Sequence, residues 1–307
     1  MPAYMDVPDI PLNSGAKKLS IPAVGLGTWK SGPGEVANAV KTALRNGYKH
    51  LDLAWIYGNE QEVGQGIRDS GVPRDEIFIT SKLWCTKHRD VEAAVKESLD
   101  LIGTDYLDLY LMHWPVPLNP NGNDAKFPKK EDGSRDLDTE WTINQTWEQM
   151  EALLEKGLVK AIGVSNFSEP VLDDLLKTAK VTPAANQVEL HPYLPQHELL
   201  EYLEEKGIVA EAYSPLGSTD SPLLKDDDIK KIADKHGVSV GTILISYQVN
   251  RNVVVLPKSV TAQRIIDNLK IVKLDAEDMD TLNSLYKTKG QRFIKPDWGI
   301  DLKFKYW

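Results

Sequence analysis

An alternation of eight apolar, β-branched segments with eight amphipathic segments most restricts the fold of this chain. The apolar segments lie at about residues 23–28, 49–54, 77–83, 107–113, 159–164, 184–190, 208–213 and 253–257. The amphipathic segments lie at residues 35–45, 60–70, 90–102, 142–156, 169–179, 196–206, 226–250 and 262–270. Strands that alternate with helices favour a parallel sheet, because parallel neighbours need a crossover connection. Eight such units in 307 residues predict a single (β/α)8 TIM barrel domain over residues 1–307.

An open, doubly wound nucleotide-binding fold is the competing architecture. Such a fold would place G-x-G-x-x-G between its first strand and first helix. Residues 25–30 read GLGTWK, with Lys30 where the third glycine belongs. The missing glycine favours the closed barrel over this alternative.

Three segments extend beyond the strand–helix repeat. Residues 9–22 predict a short β-hairpin around Asn13-Ser14-Gly15, at one end of the barrel. Residues 115–140 form a long polar loop after the fourth strand, and residues 287–307 form an aromatic-rich tail. Long loops in compact domains are often functional lids. We therefore expect long loops over the C-terminal mouth, with the tail packed over that mouth or against the barrel's side.

Charge and cysteine content exclude several classes of function. The net charge is −9, which argues against binding to nucleic acid or to an anionic membrane surface. The sequence contains no apolar run long enough for a transmembrane helix and no N-terminal pattern of a signal peptide. Cys85 is the single cysteine, so an internal disulfide is excluded and a reducing, cytoplasmic location is expected.

Four ionisable residues follow or end three of the predicted strands. Asp52 and Lys82 lie within apolar segments, His113 ends a third, and Tyr57 follows the first by a few residues. Ionisable side chains are uncommon at the ends of buried strands unless they have a function. Because parallel strands present their C-terminal ends on one face, we expect the four side chains to converge there.

These four residue types suggest proton transfer. A tyrosine with a pKa near ~10 is a poor acid at neutral pH, and a neighbouring ammonium lowers that pKa. Lys82 is placed to supply the charge and Asp52 to hold the ammonium, so Tyr57 would give a proton to a developing alkoxide. His113 would orient a carbonyl oxygen or relay the proton. The alternative is an ordinary buried ion pair beside two polar groups with satisfied hydrogen bonds.

Eight short motifs then occur in a fixed order along the chain. They are GLGTW (25–29), GYKHLDLAWIYGNEQEVGQGI (47–67), ITSKLW (79–84), LYLMHWP (109–115), GVSNF (163–167), NQVELHP (186–192), AYSPLG (212–217) and LPKSVTAQRIIDN (256–268). With these motifs the chain resembles the aldo-keto reductase family over nearly its whole length. The tail and the short loop after Asp220 resemble fungal polyol-forming members, namely glycerol, glyceraldehyde, xylose and galacturonate reductases.

The resemblance implies a catalytic set, a cofactor and no metal. Asp52, Tyr57, Lys82 and His113 match the family's catalytic residues, with Tyr57 as the general acid. Hydride would come from NADPH, with NADH as a weaker alternative. Tyr213 matches the position that stacks on the nicotinamide. The residues that the resemblance assigns to the cofactor are Gly27, Thr28, Trp29, Asp52, Ser165, Asn166, Gln187, Tyr213, Ser214, Leu216, Ser218, Asp220, Lys258, Ser259, Val260, Thr261, Arg264, Asp267 and Asn268.

Separate parts of the cofactor are assigned to separate parts of this set. Ser165, Asn166 and Gln187 would bind the carboxamide. Lys258, Ser259 and Arg264 would bind the 2′-phosphate at a helix start near Thr261, which favours NADPH. Asp267 and Asn268 match adenine contacts, and Asp220 matches a carboxylate that bridges Lys30 and Lys258 across the pyrophosphate.

Aromatic residues at strand ends predict the substrate pocket. Trp29, Trp84 and Trp114 would form an apolar wall whose indole N–H groups meet substrate hydroxyls. The predicted substrate-binding residues are Trp29, Trp84, His113, Trp114, Phe127 and Trp298. The predicted reaction is reduction of an aldehyde or aldose to the alcohol by a monomer or weak dimer.

Three other functions stay open from the sequence. A uronate such as D-galacturonate would need a cation in the pocket, from Lys30, Arg292 or Lys126. A non-catalytic NADPH-binding redox sensor would share the fold and the cofactor. A barrel lyase would use Lys82 as a Schiff-base amine.

Overall fold

Eight parallel strands form the central sheet of the computed structural model, which describes residues 2–13, 18–218 and 220–307. The strands of the chain are β1 (Tyr4–Met5), β2 (Asp9–Leu12), β3 (Leu19–Pro22), β4 (Leu26–Gly27), β5 (His50–Asp52), β6 (Phe78–Leu83), β7 (Leu107–Met112), β8 (Val159–Ser165), β9 (Ala185–Glu189), β10 (Val209–Tyr213), β11 (Val254–Val255) and β12 (Ile271–Val272). Strands β4 to β11 are hydrogen-bonded in sequence order. Each of them lies within a predicted segment or extends it by one residue.

Backbone hydrogen bonds also join the two ends of this sheet. The Gly25 N–H donates to the Val255 carbonyl at 2.9 Å, and the Val255 N–H donates to the Ala23 carbonyl at 2.8 Å. The Gly27 N–H donates to the Pro257 carbonyl at 3.0 Å. These bonds link the β4 side of the sheet to the β11 side. The predicted closed barrel is therefore confirmed, and the doubly wound alternative is wrong.

Helices surround the barrel. They are α1 (Glu35–Arg45), α2 (Glu60–Ser70), α3 (Val91–Ile102), α4 (Ile143–Glu155), α5 (Glu169–Leu176), α6 (His197–Glu205), α7 (Asp227–His236), α8 (Val240–Asn250), α9 (Ala262–Asp267), α10 (Ala276–Ser284) and α11 (Tyr286–Lys289). In α1 the apolar stripe that includes Val36, Val40 and Leu44 is buried against the barrel. Burying such a stripe is what stabilises a helix of this length.

The helical segment predicted at 226–250 is two helices. Gly237 ends α7 at a φ of 66°, in the left-handed region that glycine enters without strain. Ser239 then caps α8, accepting a hydrogen bond from the Thr242 N–H.

The helices α10 and α11 and the pairing of β1 with β12 were not predicted from the sequence. Strands of two residues contain too little alternation to be recognised.

The predicted N-terminal hairpin is confirmed by the antiparallel pairing of β2 with β3. Its side chains Ile10, Leu12 and Ile21 are buried in the main core. Residues 14–17, which include part of the predicted turn, lie outside the described residues.

The C-terminal tail packs against the barrel, as predicted. Trp298, Leu302 and Phe304 are buried. The buried Glu189 carboxylate at the end of β9 accepts hydrogen bonds from the N–H groups of Phe293 (2.7 Å) and Ile294 (2.8 Å). A charged acceptor that meets two backbone donors is a strong anchor for this segment.

The described residues contain neither a candidate membrane span nor a candidate metal cluster. None of the helices in these ranges is long and apolar enough to cross a membrane. No group of three or more His, Cys, Asp or Glu side chains within residues 2–13, 18–218 and 220–307 is arranged to hold a metal ion.

Candidate active site

A buried ion pair lies at the C-terminal end of the barrel. Asp52 ends β5 and Lys82 lies near the end of the neighbouring strand β6. The Lys82 Nζ donates to both Asp52 carboxylate oxygens, at 2.8 and 2.9 Å, and to the Leu53 carbonyl at 2.7 Å. Burial is the largest single influence and acts to lower the pKa of Lys82, but the charges of Asp52, Tyr57 and Glu211 and the hydrogen bonds to Asp52 together outweigh it, so the pKa is raised. Lys82 is therefore a fixed positive charge.

Tyr57 lies beside this charge in a short helical turn, Trp55–Tyr57. The Lys82 Nζ is 5.2 Å from the centroid of the Tyr57 ring. Burial raises the pKa of the Tyr57 phenol, whereas the Lys82 charge opposes that rise without cancelling it. The lowered pKa predicted from the sequence is wrong in direction, because desolvation outweighs the nearby cation. A phenol with a raised pKa stays protonated at neutral pH and is ready to donate.

His113 directly follows β7 and faces Tyr57, with ring centroids 6.0 Å apart. Burial, helped by the Lys82 charge, holds the pKa of His113 well below its usual range. The imidazole is therefore neutral at physiological pH. Its backbone carbonyl accepts from the Asn166 side chain at 3.0 Å. We call Asp52, Tyr57, Lys82 and His113 the tetrad.

The predicted carboxamide-binding residues form a hydrogen-bonded row next to the tetrad. The Gln187 Nε2 donates to Asp52 Oδ1 at 2.9 Å. The Ser165 hydroxyl donates to the Gln187 carbonyl at 2.8 Å, and the Tyr213 hydroxyl donates to Asn166 Oδ1 at 2.7 Å. Asn166 has a φ of 63°, a left-handed conformation that asparagine tolerates better than most residues. The row thus fixes Tyr213 relative to the tetrad.

The strand ends β4 and β11 supply the next predicted cofactor residues. The buried Thr28 hydroxyl donates to the Asp52 carbonyl at 2.8 Å, and Asn59 donates to the Thr28 carbonyl at 2.9 Å. The absence of a side chain at Gly27 lets its backbone lie close to that of Leu256, because a Cβ there would lie 3.0 Å from the Leu256 carbonyl oxygen. These contacts place Gly27 and Thr28 directly beside Asp52.

The predicted phosphate-binding residues lie beyond β11. The Lys258 Nζ donates to the Lys30 carbonyl at 3.0 Å, and Ser259 accepts from the Thr261 N–H at 3.1 Å. Among the described residues, Lys258 and Arg264 form no salt bridge. Asp267 pairs with Lys270 at 2.6 Å.

The other members of the predicted cofactor set occupy loops around this mouth. Ser214 and Asp220 have φ values of 49° and 55° in the loop after β10. Leu216 and Val260 are partly buried against the core. Within the described ranges Asp220 makes no ion pair with Lys30 or Lys258. The predicted contacts of Ser214, Leu216, Ser218, Val260, Asp220, Asp267 and Asn268 with a cofactor stay predictions.

Four of the predicted substrate-binding aromatics form one cluster, which we call the aromatic rim: Trp84, Trp114, Phe127 and Trp298. The Trp298 ring lies 5.3 Å from Trp114, 6.0 Å from Trp84 and 6.3 Å from Phe127, between centroids. The Trp84 ring also lies 5.2 Å from His113, so the rim adjoins the tetrad. Trp29 is not in ring contact with the rim; it is 37% exposed and lies against the Lys30 ammonium.

Two basic side chains lie at the rim. The Lys126 Nζ donates to the Ile56 carbonyl at 3.1 Å, next to Tyr57. The Arg135 guanidinium lies 4.7 Å from the Phe127 ring centroid and 5.8 Å from that of Trp298. Neither cation forms a salt bridge with a described residue. Arg292, in contrast, lies against both Phe304 and Trp307 in the tail, at 4.8 and 5.0 Å from their ring centroids.

Sequence reasoning missed several of these residues. Glu189 and Glu211 are fully buried carboxyls inside β9 and β10. An ionisable side chain within an apolar segment was the signal that identified Asp52 and Lys82, and it applied equally to these two. Arg135 had no such signal, because an arginine in a polar loop is ordinary.

Known proteins match this chain consistently over most of its length. A model of the Aldo/keto reductase family matches residues 23–287. Glycerol 2-dehydrogenase (NADP(+)) of Saccharomyces cerevisiae is 53% identical over 302 residues, covering 96% of each chain. D-galacturonate reductase of Hypocrea jecorina is 51% identical over 301 residues, covering 95% of this chain and 96% of that protein. The solved structure of an aldose reductase from Schistosoma japonicum superposes with a TM-score of 0.84 at 40% identity, covering 90% and 91% of the two chains.

Proposed function

The chain belongs to the aldo/keto reductase family and is a carbonyl reductase, and from that premise we propose that it reduces a small aldehyde or aldose with NADPH, using Tyr57 as proton donor. This role is supported by the position of Tyr57 beside the Lys82 ammonium, which hydrogen bonds hold in place. Lys82 lies 5.2 Å from the Tyr57 ring and is held by both oxygens of Asp52.

Each member of the tetrad has a distinct role in this proposal. Tyr57 stays protonated at neutral pH and gives its proton to the oxygen of the carbonyl as negative charge develops there. Lys82 stabilises the phenolate that remains, because the attraction between opposite charges is stronger in a site that excludes water. Asp52 keeps the ammonium in place. Neutral His113 orients the oxygen of the substrate carbonyl next to the Tyr57 hydroxyl. The ring centroids of His113 and Tyr57 are 6.0 Å apart, so both side chains can contact one oxygen atom.

The residues present fit a nicotinamide cofactor. Bound NADPH supplies the hydride. Ser165, Asn166 and Gln187 offer adjacent amide and hydroxyl groups for the carboxamide, and the ring of Tyr213, fixed by Asn166, offers a flat face for the nicotinamide. Lys258 and Arg264 supply positive charge for the 2′-phosphate, which supports NADPH over NADH. Weaker use of NADH is part of the proposal.

The direct test is consumption of NADPH, followed at 340 nm, with DL-glyceraldehyde, D-xylose and D-galacturonate. We expect Tyr57→Phe to lower kcat by a factor of about 10²–10⁴ while NADPH binding, measured by fluorescence titration, is unchanged. A variant that keeps wild-type turnover would exclude Tyr57 as the proton donor.

The same experiment separates the alternatives. Wild-type protein that binds NADPH but reduces none of these substrates would favour the redox sensor. Borohydride treatment with substrate would leave a covalent adduct on Lys82 if the protein were a Schiff-base lyase. We expect no adduct, because Lys82 is engaged by three hydrogen bonds and stays protonated.

A second candidate is reduction of a sugar that bears a carboxylate, such as a hexuronate. Lys126 and Arg135 support it, because two cations without salt-bridge partners among the described residues lie beside the tetrad and the rim in a chain of net charge −9. Lys126→Met and Arg135→Met should each lower kcat/KM for D-galacturonate by about fivefold while leaving D-xylose unchanged, as expected for an exposed ion pair. Equal losses for both sugars would exclude a carboxylate contact.

The remaining proposals concern the setting of the enzyme. A cytoplasmic location is supported by the single cysteine, Cys85, which is fully buried. We retain a monomer or weak dimer as a prediction, to be measured by analytical ultracentrifugation.

A further inference from the structure

Glu211 is a fully buried carboxyl to which the reaction described above gives no role. It lies in β10 and is directly paired in register with Gln187 of β9 on one side and Val254 of β11 on the other. On β8, Ser165 pairs with Gln187 in the same way. Ser165, Gln187 and Glu211 therefore form one polar row across three adjacent strands, and the first two of them are assigned to the nicotinamide side of the site.

The hydrogen bonds of this row connect Glu211 to the tetrad. The Gln187 Nε2 lies 2.9 Å from Asp52 Oδ1 and 3.5 Å from Glu211 Oε2. One amide group thus faces two carboxyls, and the nearer one is the carboxylate that holds Lys82. Glu211 Oε1 has no hydrogen-bond partner among the described residues.

A carboxylate in this environment would be costly. The charged groups that face it are Asp52 and Lys82, whereas Gln187 and Val254 are its uncharged neighbours on the adjacent strands. Lys82 is already bound by Asp52, so no cation contacts Glu211 directly. A buried carboxylate that lacks a cation, with one oxygen unpaired, is strongly disfavoured relative to the neutral acid.

We propose that Glu211 is a positioning residue of the reductase site, which acts through Gln187 on Asp52. In its neutral form Glu211 is a weak hydrogen-bond acceptor. The Gln187 amide therefore keeps its hydrogen bond to Asp52, and Asp52 keeps its hydrogen bonds to Lys82. When Glu211 ionises, it competes with Asp52 for the same amide and adds a second negative charge near Lys82. Both changes strengthen the hold of Tyr57 on its proton. The inference rests on the proposed role of Tyr57.

The ionisation falls within the working range of an enzyme. Burial, followed by the Asp52 charge, raises the pKa of Glu211 to about 8. Glu211 is therefore neutral at pH 7 and charged at alkaline pH. Reduction, which consumes a proton from Tyr57, should become slower as the pH rises through this value.

The test compares Glu211→Gln with Glu60→Gln. Glutamine keeps the volume of Glu211 and cannot ionise. Glu60 is the matched control, because burial also raises its pKa but both of its oxygens accept serine hydroxyls, from Ser81 at 2.5 Å and Ser98 at 2.9 Å. The measurement is kcat for aldehyde reduction at saturating NADPH between pH 6 and 10.

We expect wild-type kcat to fall with a midpoint near the pKa of about 8, and we expect this fall to be absent from the Glu211→Gln profile, because glutamine has no proton to lose at that pH. Glu60→Gln should follow the wild-type profile. A Glu211→Gln profile that coincides with that of the wild type would overturn the proposal, and so would loss of the same fall in Glu60→Gln.

A second measurement does not depend on turnover or on the stability of Glu211→Gln. Infrared titration of the wild-type protein and of Glu60→Gln should show the C=O stretch of one protonated carboxyl at pH 7 that disappears with a midpoint near 8. If no such band titrates in either protein, Glu211 is not the proton-bearing group. Absence of turnover in the wild type with the band present would instead contradict the proposed function alone.

Discussion

The tetrad and the aromatic rim line the same site but are assembled in different ways. The tetrad comes from the ends of three consecutive strands, β5 to β7, and from the turn after β5. Its central pair is fixed by strand register and by charged hydrogen bonds of 2.8 and 2.9 Å. The rim comes from two strand ends, a long loop and the C-terminal tail, and is joined by ring contacts of 5.3–6.3 Å.

This difference separates the chemistry of the site from its selectivity. Groups fixed by a barrel sheet keep their geometry when a loop changes, because the backbone hydrogen bonds set their positions. Ring contacts across loops are weaker individually and tolerate substitution. We therefore expect changes in the tetrad to affect kcat and changes in the rim to affect KM.

The largest effect should come from breaking the ion pair of the tetrad. Lys82→Met leaves Asp52 as an uncompensated buried charge, which costs about 3–5 kcal/mol of unfolding free energy, and it removes the cation beside Tyr57. Chemical denaturation measures the first effect, and kcat, expected to fall by a factor of about 10²–10⁴, measures the second.

The double variant Lys82→Met/Asp52→Asn separates these two losses. Removing both charges should restore most of the stability, because no unpaired charge remains. It should not restore kcat. Recovery of turnover in the double variant would show that Lys82 serves only the fold.

A smaller effect is expected in the rim. Trp298→Ala should raise KM by about tenfold with kcat changed little, since Trp298 contacts three other rim rings but no tetrad member. The conservative variant Trp298→Phe keeps a ring and should retain most of the affinity. A fall in kcat without a rise in KM in Trp298→Ala would contradict the division between the two regions.

Gly58 lies where the two regions meet. It ends the turn that bears Tyr57 at a φ of 69°, so Gly58→Ala should cost about 1 kcal/mol of stability and lower kcat by displacing Tyr57. Gly122→Ala is the control, because it has a φ of 85° in the long loop and an added Cβ meets nothing within 4 Å. Equal stability losses with equal kcat values would show that the Tyr57 turn tolerates displacement.

The smallest effect concerns His113 and pH. Its folded pKa lies well below its unfolded value near ~6.5, so the unfolded state binds more protons in mildly acidic solution and stability falls as the pH drops below that value. Wild type should lose about 0.7 kcal/mol more unfolding free energy than His113→Asn between pH 7 and pH 6. Equal losses would show that folding does not lower the pKa of His113. Turnover should show no step near pH 6.5.

Much of the fold and the tetrad could be predicted from the sequence. The spacing of apolar residues and the content of β-branched residues identify the strands and helices. Eight strands that alternate with eight helical segments strongly favour a parallel barrel. Asp52, Lys82 and His113 were identifiable because charge at the end of a buried strand is rare. Their convergence followed from a general property of parallel strands.

The tertiary structure alone decided what depends on distance through space. The sequence indicated a lowered pKa for Tyr57, and the direction is reversed because desolvation depends on packing around the phenol. It grouped Trp29 with the other tryptophans, yet Trp29 is not in ring contact with the rim. It gave no sign that Arg135 meets Trp298, or that Gln187 faces both Asp52 and Glu211. Local patterns fix which segments form strands, but charge, burial and ring contacts depend on neighbours that lie far apart in the chain.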